Sequence, residues 1–407
     1  MSAPIVFDPL SADFARDPYP IYARLRGEGP WYFEGWDVWL FSRHADVTAA
    51  AVNPKLIRSF DDILTPDEIA EQTRRDNWHD MPFHSRFVQF SMLNSDGEVH
   101  QRLRKMLFRE FTNAHILRLK DEVTAHVARL IYEVADRGEF DFIDDFAAHV
   151  PGHIIGRLLG VPDEDCDVLR VWSENIVQYF DIDRSDAKKA LAEDTTAEFY
   201  HYLVKLSDAR RRQPRDDLIS RLIAVFDAGE MTEDEYISTC MLILMAGHGS
   251  TIDVLGSGMH ALLRFPDQMQ RLRSDPSLMT TAVHEMFRFE SPLPYFHRNA
   301  VEDVDINDFT IKRGAKIGLL YGAANRDEAA FPKAEQFDVG RTPNRHLAFG
   351  GGAHFCLGNH LARMDMEIIF TAMLNCFSRI ELTQTPVYKR GLSIRGAERL
   401  QLTVKTS

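Results

Sequence analysis

The chain reads as a single, mainly α-helical domain with small β-sheets. Three observations predict that class. Apolar residues recur at helical spacing from about His100 onward. Short apolar-aromatic stretches bounded by turns are confined to about residues 1–60 and to the segment between Pro292 and Arg341. No repeat, low-complexity tract or Gly/Ser linker interrupts the 407 residues, so no domain boundary is drawn within 1–407.

Residues 1–60 form the β-richer part, with strands at Trp31-Tyr32-Phe33 and Val38-Trp39-Leu40-Phe41. Leu117, Val123, Val127, Leu130, Ile131 and Val134 then follow helical spacing until Gly138. The run Arg210-Arg211-Arg212, with Asp216-Asp217 close behind, reads as a solvated surface loop. The longest predicted helix spans Thr232 to Phe265. Thr232 and Glu235 make a capping box, Glu233 to Glu235 suit the positive helix end, and Pro266 stops it. At about 1.5 Å per residue it reaches roughly 50 Å, enough to cross a domain. It carries Gly247, Gly249, Gly256 and Gly258. Each helical glycine costs about 0.5–1 kcal/mol relative to alanine, which calls for close approach of something flat or bulky.

Another helix starts at Asp275-Pro276, an N-cap followed by proline at the first helical position. Met279, Ala282, Val283 and Met286 form its apolar stripe, and it ends before Pro292. Strands are predicted at Val304 to Ile306, Thr310-Ile311 and Ile317 to Leu320. A last helix runs from about Asn359 to Phe377, with Leu361, Met364, Ile368 and Ala372 along one face.

Composition narrows the function. With 47 Lys+Arg against 61 Asp+Glu the net charge is −14, which argues against nucleic acid, whose phosphates want a basic face. Cys166, Cys240, Cys356 and Cys376 show no CxxC and no dense spacing, which suits a reducing cytosol. No charged leader precedes an apolar core at the N-terminus. The longest apolar run, Met241 to Ala246, is far too short to span a bilayer. These readings predict a soluble, cytoplasmic protein with no membrane partner.

The sharpest stretch is Phe349-Gly350-Gly351-Gly352-Ala353-His354-Phe355-Cys356-Leu357-Gly358, which leads directly into the last helix. A glycine-rich loop there presents one thiol at a helix N-terminus, where the dipole and free N–H groups favour the metal-binding thiolate. Glycines let the backbone turn tightly and pass close to a planar ligand, and Phe349 shields the sulfur from water. A single soft thiolate suits haem iron, onto which it pushes electron density. Other readings of the same residues are a buried core cysteine, a zinc site from His346, His354, Cys356 and His360, and a nucleophile with a His base.

The loop reads F-x-x-G-x-x-x-C-x-G, and here the chain resembles the cytochrome P-450 family of haem-thiolate monooxygenases. Other landmarks of that family stand in order. Asp96-Gly97-Glu98-Val99-His100 with Arg104 matches its C-helix entry, and Ala246-Gly247 its central helix. Glu285-Met286-Phe287-Arg288 matches E-x-x-R. Ala323 to Asp327, through Phe331-Pro332 to Phe337 and Arg341, matches the meander. The resemblance runs from about Phe7 to the C-terminus and is closest to soluble bacterial members.

It implies the cytochrome P-450 fold, a haem b held in loop 349–358 by the axial thiolate of Cys356, and oxygen-dependent monooxygenation of a small or medium hydrophobic substrate. By the same resemblance His100, Arg104, Arg298 and His354 are haem-propionate partners, and Ala246, Gly247, Phe349 and Gly358 lie against the cofactor. Glu285, Arg288 and Arg341 become a structural brace. Arg102, Lys105, Arg109 and Arg363 suggest a basic patch for an acidic ferredoxin-type donor. A separate reductase is implied, since Gly247-x-Gly249 lacks the third glycine of a dinucleotide loop. The pocket would draw on Trp78, Phe83, Phe87, Phe90, Val177 to Phe180, Met245-Ala246, Leu293 to Phe296 and Ser393-Ile394.

One departure stands out. Where the family carries A-G-x-(Asp/Glu)-Thr for proton delivery, this chain has Ala246-Gly247-His248-Gly249-Ser250-Thr251. The acid position is Gly249 and the alcohol position is Ser250. Ser250, Thr251 and His248 are the remaining candidates for a relay. A peroxide-driven or nitric-oxide-type enzyme, and a non-catalytic haem or zinc-thiolate protein, are the alternative readings.

Overall fold

The computed structural model describes residues 4–60 and 63–406, and helices dominate it. The chain divides into two compact units, each discontinuous in sequence. The larger comprises Met1–Ile57, Ile116–Val150 and Ser250–Ser407; the smaller comprises Arg58–His115 and Pro151–Gly249.

The larger unit carries the sheets. Five strands run in the order Trp31–Phe33, Val38–Phe41, Lys316–Leu320, Tyr295–Ala300 and Leu56–Ile57. Only the second and third pair parallel. Phe41, Ile317 and Leu319 pack with Val47, Ala50 and Ala51 of the helix His44–Val52 into one buried cluster. A second sheet places Glu139–Asp141 and Phe377–Leu382 on either side of the C-terminal strand Gln401–Thr406. Val304–Ile306 and Phe309–Ile311 form a separate hairpin.

The first sixty residues hold the two expected strands but also three helices, Ala12–Arg16, Tyr19–Glu28 and His44–Val52. The prolines around position 20 are the reason. Pro20 lies in the first helical turn, where a missing N–H is harmless, so it starts a helix that a turn reading overlooks. The helix Lys120–Ala135 buries Val123, Val127, Leu130, Ile131 and Val134 as predicted. Leu117 does not join it; it sits in a preceding turn and is 50% exposed. The helix predicted from Asp275 opens as a tight turn, Pro276–Leu278, and continues as Met279–Phe289.

The smaller unit corrects one reading. Arg210, Arg211 and Arg212 are the last turn of the helix Asp186–Arg212, not a loop. Arg210 is buried, its Nε 2.7 Å from Asp217 Oδ2, and it also donates to the Gly160 carbonyl. Gly160 has φ +100°, and a Cβ there would overlap Asp217. The charge is neutralised by Asp217, which the sequence places close behind it, and by a backbone carbonyl that the local sequence does not advertise.

The helix Glu233–Arg264 starts in the smaller unit and ends in the larger. Its box is formed: Glu235 N donates to Thr232 Oγ1 at 3.2 Å, and Thr232 N to Glu235 Oε2 at 2.9 Å. Among the described residues it is the one helix long and apolar enough to cross a membrane, and 78% of its most apolar stretch is buried inside the protein. Three of its four glycines answer to bulky neighbours. A Cβ at Gly247 would lie 2.7 Å from Ile155 Cγ1, one at Gly256 would overlap Ile143, and one at Gly258 would lie 2.9 Å from Met286 Sδ. At Gly249 a Cβ would meet open space. Gly247→Ala is therefore expected to cost about 1–3 kcal/mol through overpacking against a β-branched side chain. Gly249→Ala is expected to gain about 0.5–1 kcal/mol. Denaturant unfolding of both variants checks the contrast.

Candidate active site

In the larger unit the cysteine loop is fixed by its own backbone. Leu347 N donates to Asn325 Oδ1 at 2.7 Å, Gly350 N to Leu347 O at 2.9 Å, and Cys356 N to Phe349 O at 2.9 Å. Gly350 and Gly352 take φ of +71° and +65°, values that favour glycine. A Cβ at Gly352 would also press to 2.7 Å from the Ala51 carbonyl. The loop then enters the helix Asn359–Cys376, with Gly358 at its cap and Asn359 Nδ2 on the Cys356 carbonyl at 2.9 Å. Cys356 is half-buried.

Arg363, one turn into that helix, donates to Asn359 O and Oδ1 at 3.0 and 2.7 Å and lies 3.0 Å from His360 Nδ1. Its charge interacts attractively with Cys356, so helix end and guanidinium both favour a thiolate. Arg363 is thus half-buried behind the loop rather than a free surface cation. Phe349 packs on Phe287 with ring centroids 4.5 Å apart. His346 turns its Nε2 to His284 Nδ1 at 3.0 Å, and burial pushes its pKa down to about 3. It is part of a neutral imidazole pair. Among the described residues no group of three or more His, Cys, Asp or Glu is placed to hold a metal ion, so the alternative zinc set of His346, His354, Cys356 and His360 does not assemble.

Arg298 is buried on the strand Tyr295–Ala300, donating to the His297 carbonyl at 2.8 Å, and His354 is partly buried in the cysteine loop. Glu285 and Arg288 form the expected pair, with Arg288 Nε 2.7 Å from Glu285 Oε2. Arg341 Nε joins at 3.1 Å to both carboxylate oxygens. The pair is fully buried, which spacing alone does not reveal.

In the smaller unit His100 is buried on the helix Gly97–Phe108, with Arg104 partly exposed one turn on. Arg102 leaves the expected basic patch: it pairs with Glu235 and donates to the Glu230 carbonyl at 2.9 Å. Lys105 and Arg109 are exposed. Trp78, Phe87 and Phe180 pack around His84, whose pKa burial pushes down to about 3. His248 is buried, bonded through Nδ1 to Leu244 O, and its ring lies where a side chain on Gly152 would otherwise sit. Burial holds it neutral, so its position is a packing one.

From Glu235 to Met259 the long helix is buried except at Ala246, Gly247, Gly249 and Ser250. These four residues leave backbone exposed in the middle of an otherwise buried helix. Within the larger unit, the Cys356 thiol before a helix start, with Arg363 beside it and Arg298 buried, suits haem chemically. Sequence reasoning did not single out Asn325, which anchors the loop, or the His284–His346 pair. Asn325 lay within the quoted meander; nothing local marks the imidazole pair.

A cysteine before a helix start with a guanidinium beside it, and a buried E-x-x-R brace, are the features that the resemblance to the haem-thiolate class of proteins implies. The family model of cytochrome P450 matches residues 68–391. The chain is 32% identical over 412 residues to the polyketide biosynthesis cytochrome P450 PksS of Bacillus subtilis (strain 168), covering 98% of this chain and 99% of that one. It is 35% identical over 405 residues to the cytochrome P450 monooxygenase PikC of Streptomyces venezuelae, covering 97% and 92%. The solved structure of P450BioI in complex with a hexadec-9Z-enoic acid ligated acyl carrier protein superposes with a TM-score of 0.90 at 29% identity, covering 97% of this chain and 99% of that one. The chain belongs to the cytochrome P450 family. It is an oxygen-dependent monooxygenase, an oxidoreductase whose haem iron has thiolate ligation.

Proposed function

We propose that Cys356 is the thiolate ligand of a haem b, and that both units serve one catalytic domain that oxidises a hydrophobic small molecule. The observation that carries this reading is the glycine loop, which pins the Cys356 amide on the Phe349 carbonyl at 2.9 Å and sets the sulfur near Arg363 at a helix start. When bound, the haem supplies oxygen activation, to which the thiolate contributes electron density.

His100, Arg104, Arg298 and His354 would hold the two propionates, whose negative charges need cationic or hydrogen-bonding partners when buried. Ala246 and Gly247 would lie along one side of the group, with Phe349 and Gly358 at the sulfur. Ser250 would orient the reacting oxygen and pass a proton from its hydroxyl, with Thr251 helping to hold water beside it. His248 would fix this stretch against Gly152. The oxidised molecule would have a long apolar body. The polyketide and acyl-carrier associations named for PksS and P450BioI agree with that. A cytoplasmic ferredoxin-type donor with its own reductase would supply electrons, and Lys105 and Arg109 are the exposed cations for it.

The carbon monoxide difference spectrum of the reduced protein tests the reading. A thiolate-type band is expected. A histidine-type band, or a haem-free protein carrying zinc, would overturn it.

A further inference from the structure

The long helix carries an unexpected polar stripe beyond its exposed backbone. Ser250, Asp253, Ser257 and His260 stand at i, i+3, i+7 and i+10, a spacing that keeps them on one helix face. Their neighbours Ile252, Val254, Leu255 and Met259 are buried and apolar. A carboxylate in such company costs several kcal/mol unless something offsets it.

Here the offset comes from the segment bridged by Tyr388 and Ala397. Lys389 Nζ lies 2.7 Å from Asp253 Oδ1; the lysine side chain is 39% exposed and the aspartate only 2%. Gly396 backs the carboxylate so closely that a Cβ there would overlap Asp253. Next to it Tyr388 Oη lies 2.8 Å from His260 Nδ1, and a hydrogen bond from Ser257 also acts on that phenol. The stripe therefore joins solvent, at Lys389, to the helix position where the family's carboxylate is replaced by Gly249.

We propose that Asp253, supplied from solvent through Lys389, is the acid of this enzyme's proton relay and passes protons to Ser250 Oγ. The proposal rests on the monooxygenase reading above, with Ser250 at the reaction site. Each turnover takes two electrons from the donor and two protons; one oxygen of O2 enters the substrate and the other leaves as water. A proton moves from Lys389 Nζ to Asp253 Oδ1 and Lys389 is reprotonated by water. The proton then crosses one helical turn, about 5–6 Å between Cβ atoms, directly or through one water. Ser250 Oγ accepts it and releases its own hydroxyl proton toward the reacting oxygen.

The alternative is that the pair merely pins the Tyr388–Ala397 segment. Asp253→Asn keeps the shape and removes the acid; Lys389→Met removes the supply. The relay predicts that product per NAD(P)H consumed, with a ferredoxin and reductase supplied, falls about tenfold or more in Asp253→Asn and less in Lys389→Met. Solvent isotope effects on product formation rise in both. Gly249→Glu, added to Asp253→Asn in the open space at that position, restores coupling. The thermal unfolding midpoint falls in Lys389→Met, which strands the buried Asp253 carboxylate, and stays close to wild type in Asp253→Asn, whose remaining lysine reaches solvent; spectral substrate titrations stay close to wild type in both. Unchanged coupling in Asp253→Asn, or lost coupling that Gly249→Glu does not restore, would overturn the relay. A wild-type protein without the thiolate-type carbon monoxide band would instead overturn the underlying functional reading.

Discussion

Cys356→Ser is expected to abolish the thiolate-type carbon monoxide spectrum and all oxygen-dependent turnover, while the same change at the other three cysteines leaves the spectrum intact. The environments separate them. Burial and the acidic Asp163 and Asp167 push the Cys166 thiol up to about 11, and burial pushes Cys240 up to about 12. Both stay protonated. Cys376 sits at the far, C-terminal end of the helix that Cys356 precedes. Only Cys356 combines a helix N-terminus with a nearby guanidinium. Serine is nearly isosteric and keeps the 2.9 Å amide bond to Phe349 O, so the loop persists while the soft ligand is gone. Cys240→Ser buries a hydroxyl at a cost of about 1–3 kcal/mol, which lowers stability without touching the spectrum. A thiolate-type band that survives in Cys356→Ser would end the assignment.

What the sequence made legible follows from how local each signal is. Thr232, Glu235 and Pro266 define the long helix through contacts within a few residues, and its observed bounds Glu233–Arg264 agree with them. The last helix and the strands Val38–Phe41 and Val304–Ile306 are equally local. The loop around Cys356 was readable because glycine, cysteine and helix start lie side by side. The failures share the opposite property. Arg210 looked solvated because its partner carbonyl, Gly160, lies fifty residues away. Arg102 looked like a docking cation because Glu235 is distant in sequence. Gly247 asks for a close neighbour, and one that meets the need is Ile155, distant in sequence. Charge and glycine state a need; only the fold says what meets it.

Arg288→Met is expected to lower the unfolding free energy by about 3–5 kcal/mol, the range for breaking a buried pair from one side. Spacing alone ranks an i,i+3 pair at about 0.2–0.5 kcal/mol, but burial changes the scale. Arg288 and Glu285 are both 0% exposed. The five guanidinium N–H groups of Arg288 reach Glu285 Oε2 and Oε1 at 2.7 and 2.8 Å, and the carbonyls of Asn325, Ala334 and Gln336 at 2.8, 2.9 and 3.1 Å. Methionine fills similar volume yet leaves the buried carbonyls of Asn325 and Ala334 without this donor, the Gln336 carbonyl with Arg341 alone, and Glu285 with Arg341 and Asn344 as its remaining side-chain partners. Arg288→Lys keeps a charge but not the planar fork, so an intermediate loss is expected. The double variant Glu285→Gln, Arg288→Met no longer strands the Glu285 carboxylate, although Arg341 loses its counter-charge, and is expected to cost less than the sum of the single changes. The damage also reaches the cysteine loop, because Asn325 holds Leu347 N at 2.7 Å. In urea titrations of the reduced, carbon monoxide-bound protein, the thiolate band of Arg288→Met should therefore fade before the helical circular dichroism signal does. A loss under about 1 kcal/mol, the scale of an exposed pair, with both signals fading together, would show that this brace neither carries the fold nor steadies the loop.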